Sequence, residues 1–267
     1  MELKQMMKYN IKTKLNLGIT NQNYQTVDNL FIRYSNPFTN LFIDHQNEIL
    51  VLEKIKNTKL TLPIIEYGYD NDHFFLVTPY YPTLQPISTI KLTKQVLKTI
   101  AKTIQQLWQI KISPNDQIKI FQPQQFLETF KTAVKNPLVD LQRYEANLDY
   151  AQLQTTDLVL CHNDLNGGNL VFLEQQLYLI DFEYAMQNDK LFDIASFASE
   201  TLTTKTEQAY WFSLFNLTST QQQKVNAWMY YQNIAWIAWA NYMYEQTNND
   251  IFLAIIKLKF LNLQNNN

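Results

Sequence analysis

The first part of the chain alternates short apolar runs with turn residues. Runs of β-branched and aromatic residues predict four strands, at residues 23–27, 30–34, 64–69 and 73–78. Between the second and third strands, apolar side chains recur at helical spacing over residues 38–56, and Thr39 or Asn40 is available as the cap of that helix. This pattern predicts a small strand-rich lobe, which we assign to residues 1–82.

After residue 82 the apolar positions recur mostly at helical spacing. Three helical segments are predicted, at residues 88–112, 126–153 and 190–263. The first starts at Ser88, the second breaks near Pro137, and the third includes one long helix over about residues 220–246. Two strand features lie between them: a strand at 158–160 and a hairpin of 170–173 with 177–180. The sequence therefore predicts an α+β fold with a mostly helical lobe over residues 83–267.

Charge and cysteine content narrow the class of protein. The chain has 22 Lys and Arg against 24 Asp and Glu, a net charge of −2, so no basic surface for nucleic acid is indicated. The single cysteine cannot form an internal disulfide, and residues 1–10 lack the apolar stretch of a signal peptide. The most apolar segment, residues 234–244, is too short to span a bilayer. We therefore expect a cytoplasmic protein without a membrane span, and its oligomeric state stays open.

The candidate chemistry lies in two strings of residues, His162-Asn163-Asp164-Leu165-Asn166-Gly167-Gly168-Asn169 and Ile180-Asp181-Phe182-Glu183-Tyr184. Their spacing is typical of the phosphoryl-transfer machinery of kinase-like folds. We expect Asp164 to orient and deprotonate an acceptor hydroxyl. Asn169 and Asp181 are expected to hold Mg²⁺ through oxygen ligands. The strings therefore predict an enzyme that uses ATP.

The neighbours of these residues are expected to support the loop. His162 is interpreted as a brace of the loop backbone rather than a base, and Cys161 as a buried, unreactive thiol. Two of the four glycines in the chain are adjacent, at Gly167 and Gly168. Glycine is required where φ turns positive or where something approaches the main chain closely. The pair therefore predicts a loop that is built around a ligand.

The two strings, together with Phe192-Asp193-Ile194-Ala195 and Glu200, resemble the choline/ethanolamine kinase family, especially its shorter bacterial members. The resemblance is close in the core of the second lobe and loose in the first lobe. It implies a bilobal, protein kinase-like fold with ATP and Mg²⁺ as cofactors. Aminoglycoside phosphotransferases of the same superfamily usually have Gly in place of Asn163 and do not favour the Phe-Glu-Tyr continuation.

The resemblance also implies a nucleotide site in the first lobe. Four residues are similar to the phosphate-covering turn of the family: Gly18, Thr20, Asn21 and Asn23. Arg33 is similar to the basic residue that reaches the α and β phosphates, and Glu48 is similar to its ion-pair partner. The alternative for this pair is a solvated surface contact. Residues 78–82, including Pro79 and Tyr80, would lie against the adenine.

The choice of acceptor depends on two tryptophans of the long helix. Trp236 and Trp239 are three residues apart and share a face, and choline kinases carry a similar Trp-x-x-Trp. Aromatic faces attract a quaternary ammonium, and Glu200 is similar to the carboxylate that faces the cation in that family. The alternative is that both tryptophans are core residues. Thr201 departs from the Trp that commonly follows the Glu, so the enclosure could instead use Tyr231, Tyr242 or Tyr244.

The sequence thus predicts a kinase that transfers the γ-phosphate of ATP to the hydroxyl of choline, or a close amino alcohol, to give phosphocholine. Asp164 would both bind this acceptor and act as its base. Other small-molecule kinases of the superfamily, acting on ethanolamine, thiamine or an aminoglycoside, stay open as alternatives. A pseudokinase-like module that binds without turnover is the alternative outside enzymes.

Overall fold

The protein is described by a computed structural model covering residues 8–265. The ends of the two predicted lobes, residues 1–7 and 266–267, lie outside the described residues. Ten strands are defined: β1 (Ile11–Leu15), β2 (Gln22–Thr26), β3 (Leu30–Tyr34), β4 (Glu66–Asp70), β5 (His73–Pro79), β6 (Gln85–Pro86), β7 (Leu158–Cys161), β8 (Leu170–Leu173), β9 (Gln176–Leu179) and β10 (Met186–Asp189). The α-helices in this range are α1 (His45–Ile55), α2 (Lys94–Trp108), α3 (Pro123–Ala133), α4 (Gln142–Glu145), α5 (Tyr150–Leu153), α6 (Lys190–Glu200), α7 (Lys205–Ser213), α8 (Ser219–Thr247) and α9 (Ile251–Asn265).

These elements belong to two compact units. One unit consists of the described residues up to Ile118 together with Asp164–Ala185. The other consists of Lys119–Asn163 together with Met186 and the described residues that follow it. The segment with both predicted metal ligands therefore groups with the first part of the chain. The predicted boundary after residue 82, which concerns functional lobes, stays a prediction.

The first unit contains an antiparallel sheet in the order β1-β2-β3-β5-β4. Its core cluster is formed by Ile32, Tyr34, Phe75 and Val77. The predicted strands at 23–27, 30–34, 64–69 and 73–78 correspond to β2, β3, β4 and β5 within two residues at each end. Strand β1 was not predicted, because its sequence IKTKL is mostly exposed and buries no regular apolar face.

Both helices of the first unit begin later than the sequence predicted. Helix α1 is capped by Asp44, whose carboxylate accepts from the backbone N–H groups of Gln46 (3.0 Å) and Asn47 (3.2 Å), and not by Thr39 or Asn40. A 3₁₀ turn, Pro37–Leu41, precedes it. Helix α2 is capped by Thr93 rather than Ser88. In both cases the apolar residues recur at helical spacing before the true cap, so the spacing placed the start of the helix too early. The true cap is the polar side chain that accepts from the first N–H groups of the helix.

A smaller sheet of the first unit carries the hairpin that the sequence predicted. Its order is β6-β8-β9, and β8 pairs with β9 in antiparallel register, with Leu170 opposite Leu179. The backbone N–H of Leu179 also donates to the carbonyl of Leu60 (2.8 Å). The hairpin is thereby fixed to the chain segment that follows α1.

The second unit is mainly helical. Helix α8 has 29 residues, and it packs against α6 and α9. The residues predicted as one helical stretch, 126–153, form α3 and the two short helices α4 and α5, which breaks the stretch more extensively than predicted. Strand β10 was not predicted, and it pairs antiparallel with β7. Within residues 8–265, none of the helices combines the length and apolar character needed to cross a bilayer.

Candidate active site

Hairpin closure brings the two predicted metal ligands to one place. The backbone N–H of Ile180 donates to the carbonyl of Asn169 (3.0 Å), one step beyond the paired residues Leu170 and Leu179. Asn169 and Asp181 therefore flank the open end of the hairpin. The spacing between them in the sequence is the length of one short hairpin, which is the physical reason that it signals a shared site.

The Asp164 carboxylate is held by two side-chain amides. Asn169 Nδ2 donates to Asp164 Oδ2 (2.7 Å), and Asn166 Nδ2 donates to Asp164 Oδ1 (3.1 Å). Asn166 Oδ1 in turn accepts from the backbone N–H of Gly168 (2.8 Å). Because both carboxylate oxygens accept a hydrogen bond, the orientation of the half-buried Asp164 side chain is fixed. Sequence reasoning gave no role to Asn166, whose only signal was its position two residues after Asp164.

Arg33 lies in a buried cluster of carboxylates. Its guanidinium pairs with Glu48 and Asp181, and its Nη1 lies 3.5 Å from Glu183 Oε2. The side chains of Arg33 and Glu48 are 7% and 0% exposed, so the surface-pair alternative is wrong. His45 Nδ1 lies 2.8 Å from Glu48 Oε2. Burial alone would lower the pKa of Arg33, but the three carboxylates outweigh it and raise that pKa above its usual value.

Glu183 is a site residue that sequence reasoning missed. Glu183 is buried, and its Oε2 accepts a hydrogen bond from Asn21 Nδ2 (2.9 Å). Asn21 belongs to the predicted phosphate-covering turn. Burial raises the pKa of Glu183 well above its usual value, and the neighbouring Asp181 carboxylate raises it further, partly offset by Arg33. The sequence separation of Asn21 and Glu183 explains why no local pattern signalled this contact.

The donor set at the hairpin end fits a divalent cation. The carboxyl groups of Asp181 and Glu183 lie close to each other beside the guanidinium of Arg33, and Asp181 raises the pKa of Glu183. A bound cation would reduce the repulsion between these two groups. Since Asn169 Nδ2 is committed to Asp164, the amide oxygen of Asn169 points away from that carboxylate. Mg²⁺ prefers one or two protein carboxylates together with phosphate and water oxygens. Some metals are instead held entirely by protein side chains. Residues 8–265 contain no group of three or more His, Cys, Asp or Glu that could form such a site.

Asp181 also has an unusual backbone conformation. Its φ of 65° and ψ of 65° place it in the left-handed region, which a residue with a Cβ rarely adopts. The following residues, Phe182–Tyr184, form a 3₁₀ turn, and the turn is fixed by the Asn47 Nδ2 bond to the carbonyl of Ala185 (2.8 Å). Strained backbone of this kind is typical of functional sites.

The predicted phosphate-covering turn is closed by its own hydrogen bonds. Gly18 has a φ of 67°, which explains the glycine at that position. Asn23 Nδ2 donates to the carbonyl of Leu17 (2.6 Å), and Asn36 Nδ2 donates to the carbonyl of Thr20. The structure thus shows a defined turn at these residues. The contact of Thr20, Asn21 and Asn23 with nucleotide oxygens stays a prediction.

The predicted adenine-facing segment is partly committed to the sheet. Pro79 ends β5 opposite Leu30, and the backbone N–H of Tyr80 donates to the carbonyl of Asn29 (2.8 Å). That N–H is therefore engaged within the first unit and not directed to a base edge. The role of Pro79 and Tyr80 in adenine binding stays a prediction.

The double glycine has a different cause from the one expected. Neither Gly167 nor Gly168 has a positive φ. A Cβ on Gly167 would lie 3.1 Å from Ser88 Cβ and 3.3 Å from the Ser88 backbone, and Ser88 N–H donates to the carbonyl of Gly167 (2.9 Å). What approaches the main chain at Gly167 is thus another segment of the protein, and the expectation of a loop shaped around a ligand is corrected for this residue.

In the second unit, the residues that precede Asp164 are anchored by Asp193. Its carboxylate accepts from the backbone N–H groups of His162 (3.1 Å) and Asn163 (2.9 Å). This arrangement agrees with a structural role for Asp193. It involves only the backbone of His162, so the role of the His162 side chain stays a prediction. Cys161 is buried, as predicted, and burial with the nearby Asp193 and Asp189 charges raises the pKa of its thiol well above the usual value.

The two tryptophans of α8 are largely covered. Trp236 and Trp239 are 9% and 8% exposed, and their ring centroids lie 5.7 Å apart at an interplanar angle of 81°. Trp236 also meets Phe126 edge to face (6.1 Å), and Trp239 meets Phe252 in the same way (5.5 Å). The pair therefore belongs to an aromatic cluster with a small exposed fraction.

Two further residues of the predicted acceptor site already have partners. The Glu200 carboxylate forms an ion pair with Lys259, which sequence reasoning did not consider. The hydroxyl of Tyr231 donates to the carbonyl of Pro123 (2.7 Å). Tyr231 is thus a packed core residue in the described structure. The cation-binding role of Glu200 stays a prediction, with Lys259 as an internal competitor.

The strand-rich and helical parts, with this arrangement of Asp164, Asn169 and Asp181, define the kinase-like fold class. A sequence model of the choline/ethanolamine kinase family matches residues 13–233, and the chain belongs to that family. Choline kinase alpha of Mus musculus is 28% identical over 141 residues, covering 50% of this chain and 29% of that protein. Protein LicA of Haemophilus influenzae is 29% identical over 104 residues, covering 35% of this chain and 31% of that protein. The matched parts span about a third of the length of these relatives.

A solved structure agrees with the predicted fold. The crystal structure of choline kinase LicA from Streptococcus pneumoniae superimposes with a TM-score of 0.79 at 21% identity, covering 98% of this chain and 97% of that chain. The prediction of an α+β, protein kinase-like fold is confirmed by this likeness. The predicted family is confirmed as well.

Proposed function

We propose that the protein is an ATP-dependent kinase that transfers the γ-phosphate to the hydroxyl of choline, or of a close amino alcohol, giving phosphocholine. The observation that carries the proposal is the fixed Asp164 carboxylate next to Asn169, which shares the hairpin end with Asp181. A base and two oxygen ligands in this arrangement meet the needs of phosphoryl transfer, which consists mostly of positioning and charge neutralisation. Membership of the choline/ethanolamine kinase family supports the class of acceptor.

Asp164 acts on the acceptor. One of its carboxylate oxygens accepts the hydrogen bond of the substrate hydroxyl and then takes the proton as the oxygen attacks phosphorus. The amide groups of Asn166 and Asn169 hold the carboxylate in one orientation, so little reorganisation is needed when the acceptor arrives.

The hairpin end and the buried arginine act on the nucleotide. Asn169 and Asp181 would hold Mg²⁺, which supplies charge neutralisation at the phosphate oxygens when bound. Arg33 offers further positive charge, and Glu48 and His45 keep it in place. The turn with Gly18, Thr20, Asn21 and Asn23 would cover the phosphates, and Pro79 and Tyr80 would face the adenine.

Trp236, Trp239 and Glu200 would receive the cationic head of the acceptor. The faces of the tryptophans attract a quaternary ammonium by about 0.5–2 kcal/mol each, depending on desolvation. The Glu200 carboxylate adds a full negative charge, and its ion pair with the ammonium of Lys259 supports its ability to hold a cation. We place the enzyme in the cytoplasm.

The experiment is a measurement of ATP consumption with choline, ethanolamine, thiamine and kanamycin as separate acceptors, for the wild type and for Asp164→Asn. The proposal expects the largest kcat/KM with choline or ethanolamine, and loss of that turnover in the variant. A preference for thiamine or kanamycin would contradict the acceptor. Equal, acceptor-independent rates in the wild type and the variant would contradict the kinase and favour a binding module.

A further inference from the structure

Lys259 is a buried lysine within the second unit. Its side chain is 4% exposed, that of its partner Glu200 is 17% exposed, and the two form an ion pair. Lysine is almost never this deeply buried without a paired charge. The ammonium of Lys259 therefore has a defined position, and the carboxylate that holds it is the one proposed for the cation of the acceptor.

Lys259 lies on the side of α9 that packs against α8, the helix with the tryptophan pair. The inward side of α9 is formed by residues at helical spacing, namely Phe252, Ile256, Lys259 and Leu263. Two residues of α9 contact α8. Phe252 meets Trp239 edge to face, and Asn262 Nδ2 lies 3.3 Å from Asn233 Oδ1. The two helices run antiparallel, and Lys259 lies on α9 between the turn that contacts Trp239 and the turn that contacts Asn233.

We infer that Lys259 is a tethered cation that competes with the acceptor for Glu200 and thereby weakens the binding of any cationic acceptor. The inference rests on the proposed function, because it concerns the same site. One carboxylate cannot neutralise two ammonium groups at once, and the second cation would be buried without a partner. Binding of a cationic acceptor at Glu200 therefore requires that Lys259 leave.

The cost of displacing Lys259 is common to all cationic acceptors, whereas their own contacts with Glu200 differ. A primary ammonium can donate hydrogen bonds to Glu200 and replaces those of Lys259 on equal terms. A quaternary ammonium has no hydrogen to donate, so it exchanges a charge-assisted hydrogen bond for a purely electrostatic contact. This difference depends on the contacts that each amine makes with Glu200 and not on Lys259. Removal of the Lys259 charge is therefore expected to tighten the binding of both amines by a similar factor.

The test is Lys259→Met, which keeps most of the length and the apolar stem of the side chain and removes the charge. We expect the KM for choline to fall by about tenfold or more, which is about 1.4 kcal/mol, while the KM for ATP stays unchanged. The KM for ethanolamine is expected to fall by a similar factor. Choline is also expected to raise the thermal midpoint of this variant more than that of the wild type, because it restores a partner to Glu200.

Lys224 provides a matched control. In the same unit, Lys224 forms an ion pair with Asp189 (2.6 Å). The side chain of Lys224 is 17% exposed and that of Asp189 is 6% exposed, so this pair is also largely buried. Lys224→Met is expected to lower the thermal midpoint without changing the KM for choline or the stabilisation by choline. Lys259→Gln is the second variant, since an amide can still donate to Glu200 and maintain the local structure if Lys259→Met does not fold.

The outcomes separate the inference from the proposed function. The inference would be overturned if the Lys259 variant that folds has the same KM for choline and the same thermal shift with choline as the wild type. The ion pair would then be purely structural. If no variant phosphorylates an amino alcohol, the proposed function fails, while the thermal shift still reports whether removal of Lys259 opens a cation site. A choline-dependent shift equal in the Lys224 and Lys259 variants would also overturn the inference.

Discussion

The hydrogen bond between Asn21 and Glu183 connects the turn proposed to cover the phosphates with the segment that carries Asp181. Asn21 Nδ2 lies 2.9 Å from Glu183 Oε2, and Asn21 is half-buried. Asn21→Ala removes this bond and leaves the carboxylate with the longer contact to Arg33, 3.5 Å. The turn would then lose this link to that segment, while its internal bond from Asn23 to Leu17 would remain.

The size of the effect follows from the kind of bond that is lost. A typical intramolecular hydrogen bond contributes about 0.5–1.5 kcal/mol net, and the buried Glu183 acceptor puts this one near the upper end. If that energy holds the turn over the nucleotide, its loss raises the KM for ATP by about tenfold, since about 1.4 kcal/mol corresponds to tenfold. The kcat at saturating ATP and the KM for choline are expected to change by less than about twofold.

The assay is steady-state kinetics with ATP as the varied substrate, and Gln22→Ala is the matched control. Gln22 follows Asn21 directly, and its Nε2 donates to Asn36 Oδ1 (3.0 Å) instead of to Glu183. The reasoning is refuted if Asn21→Ala leaves the KM for ATP unchanged, or if Gln22→Ala raises it equally. The second result would mean that any loss of turn order suffices.

Three further predictions concern stability and reactivity. Arg33→Met leaves buried carboxylates without their cation and is expected to lower the free energy of unfolding by about 3–5 kcal/mol; the same change at the exposed Arg143 should lower it by less than about 1 kcal/mol in urea denaturation. Gly167→Ala pushes a methyl group against the Ser88 backbone and is expected to cost about 1–3 kcal/mol by the same measurement, and a neutral effect would mean that the segment yields freely. Cys161 is expected to react with a thiol reagent only after unfolding, because the thiol is buried and its pKa is raised; rapid labelling of the native protein would contradict this.

Local patterns were sufficient where neighbours in sequence determine the structure. Strands β2 to β5 followed from short apolar runs, and the hairpin β8–β9 followed from two such runs around a turn. The starts of α1 and α2 were wrong, because apolar spacing does not indicate which polar side chain caps the helix. Asp44 and Thr93 take that role in the structure.

Only the part of the candidate site within residues 162–169 and 180–184 could be predicted from local sequence. Asp164, Asn169 and Asp181 lie in one unit, and their mutual arrangement follows from a hairpin that the sequence indicated. Glu183 could not be assigned a contact, because its partner Asn21 is distant in the sequence. Lys259 was missed for a related reason: α9 also contains Lys257, and only the packing of the helix shows which of the two lysines is buried.

Detection of the product tests whether the protein phosphorylates choline. The wild type is incubated with MgATP and choline, and phosphocholine and ADP are quantified together by phosphorus NMR, beside Asp164→Asn. We expect equal amounts of phosphocholine and ADP from the wild type, and a rate lower by about 10²–10⁴-fold in the variant, the range for loss of a general base. ADP without phosphocholine, or the same rate of phosphocholine formation in both proteins, would contradict this expectation.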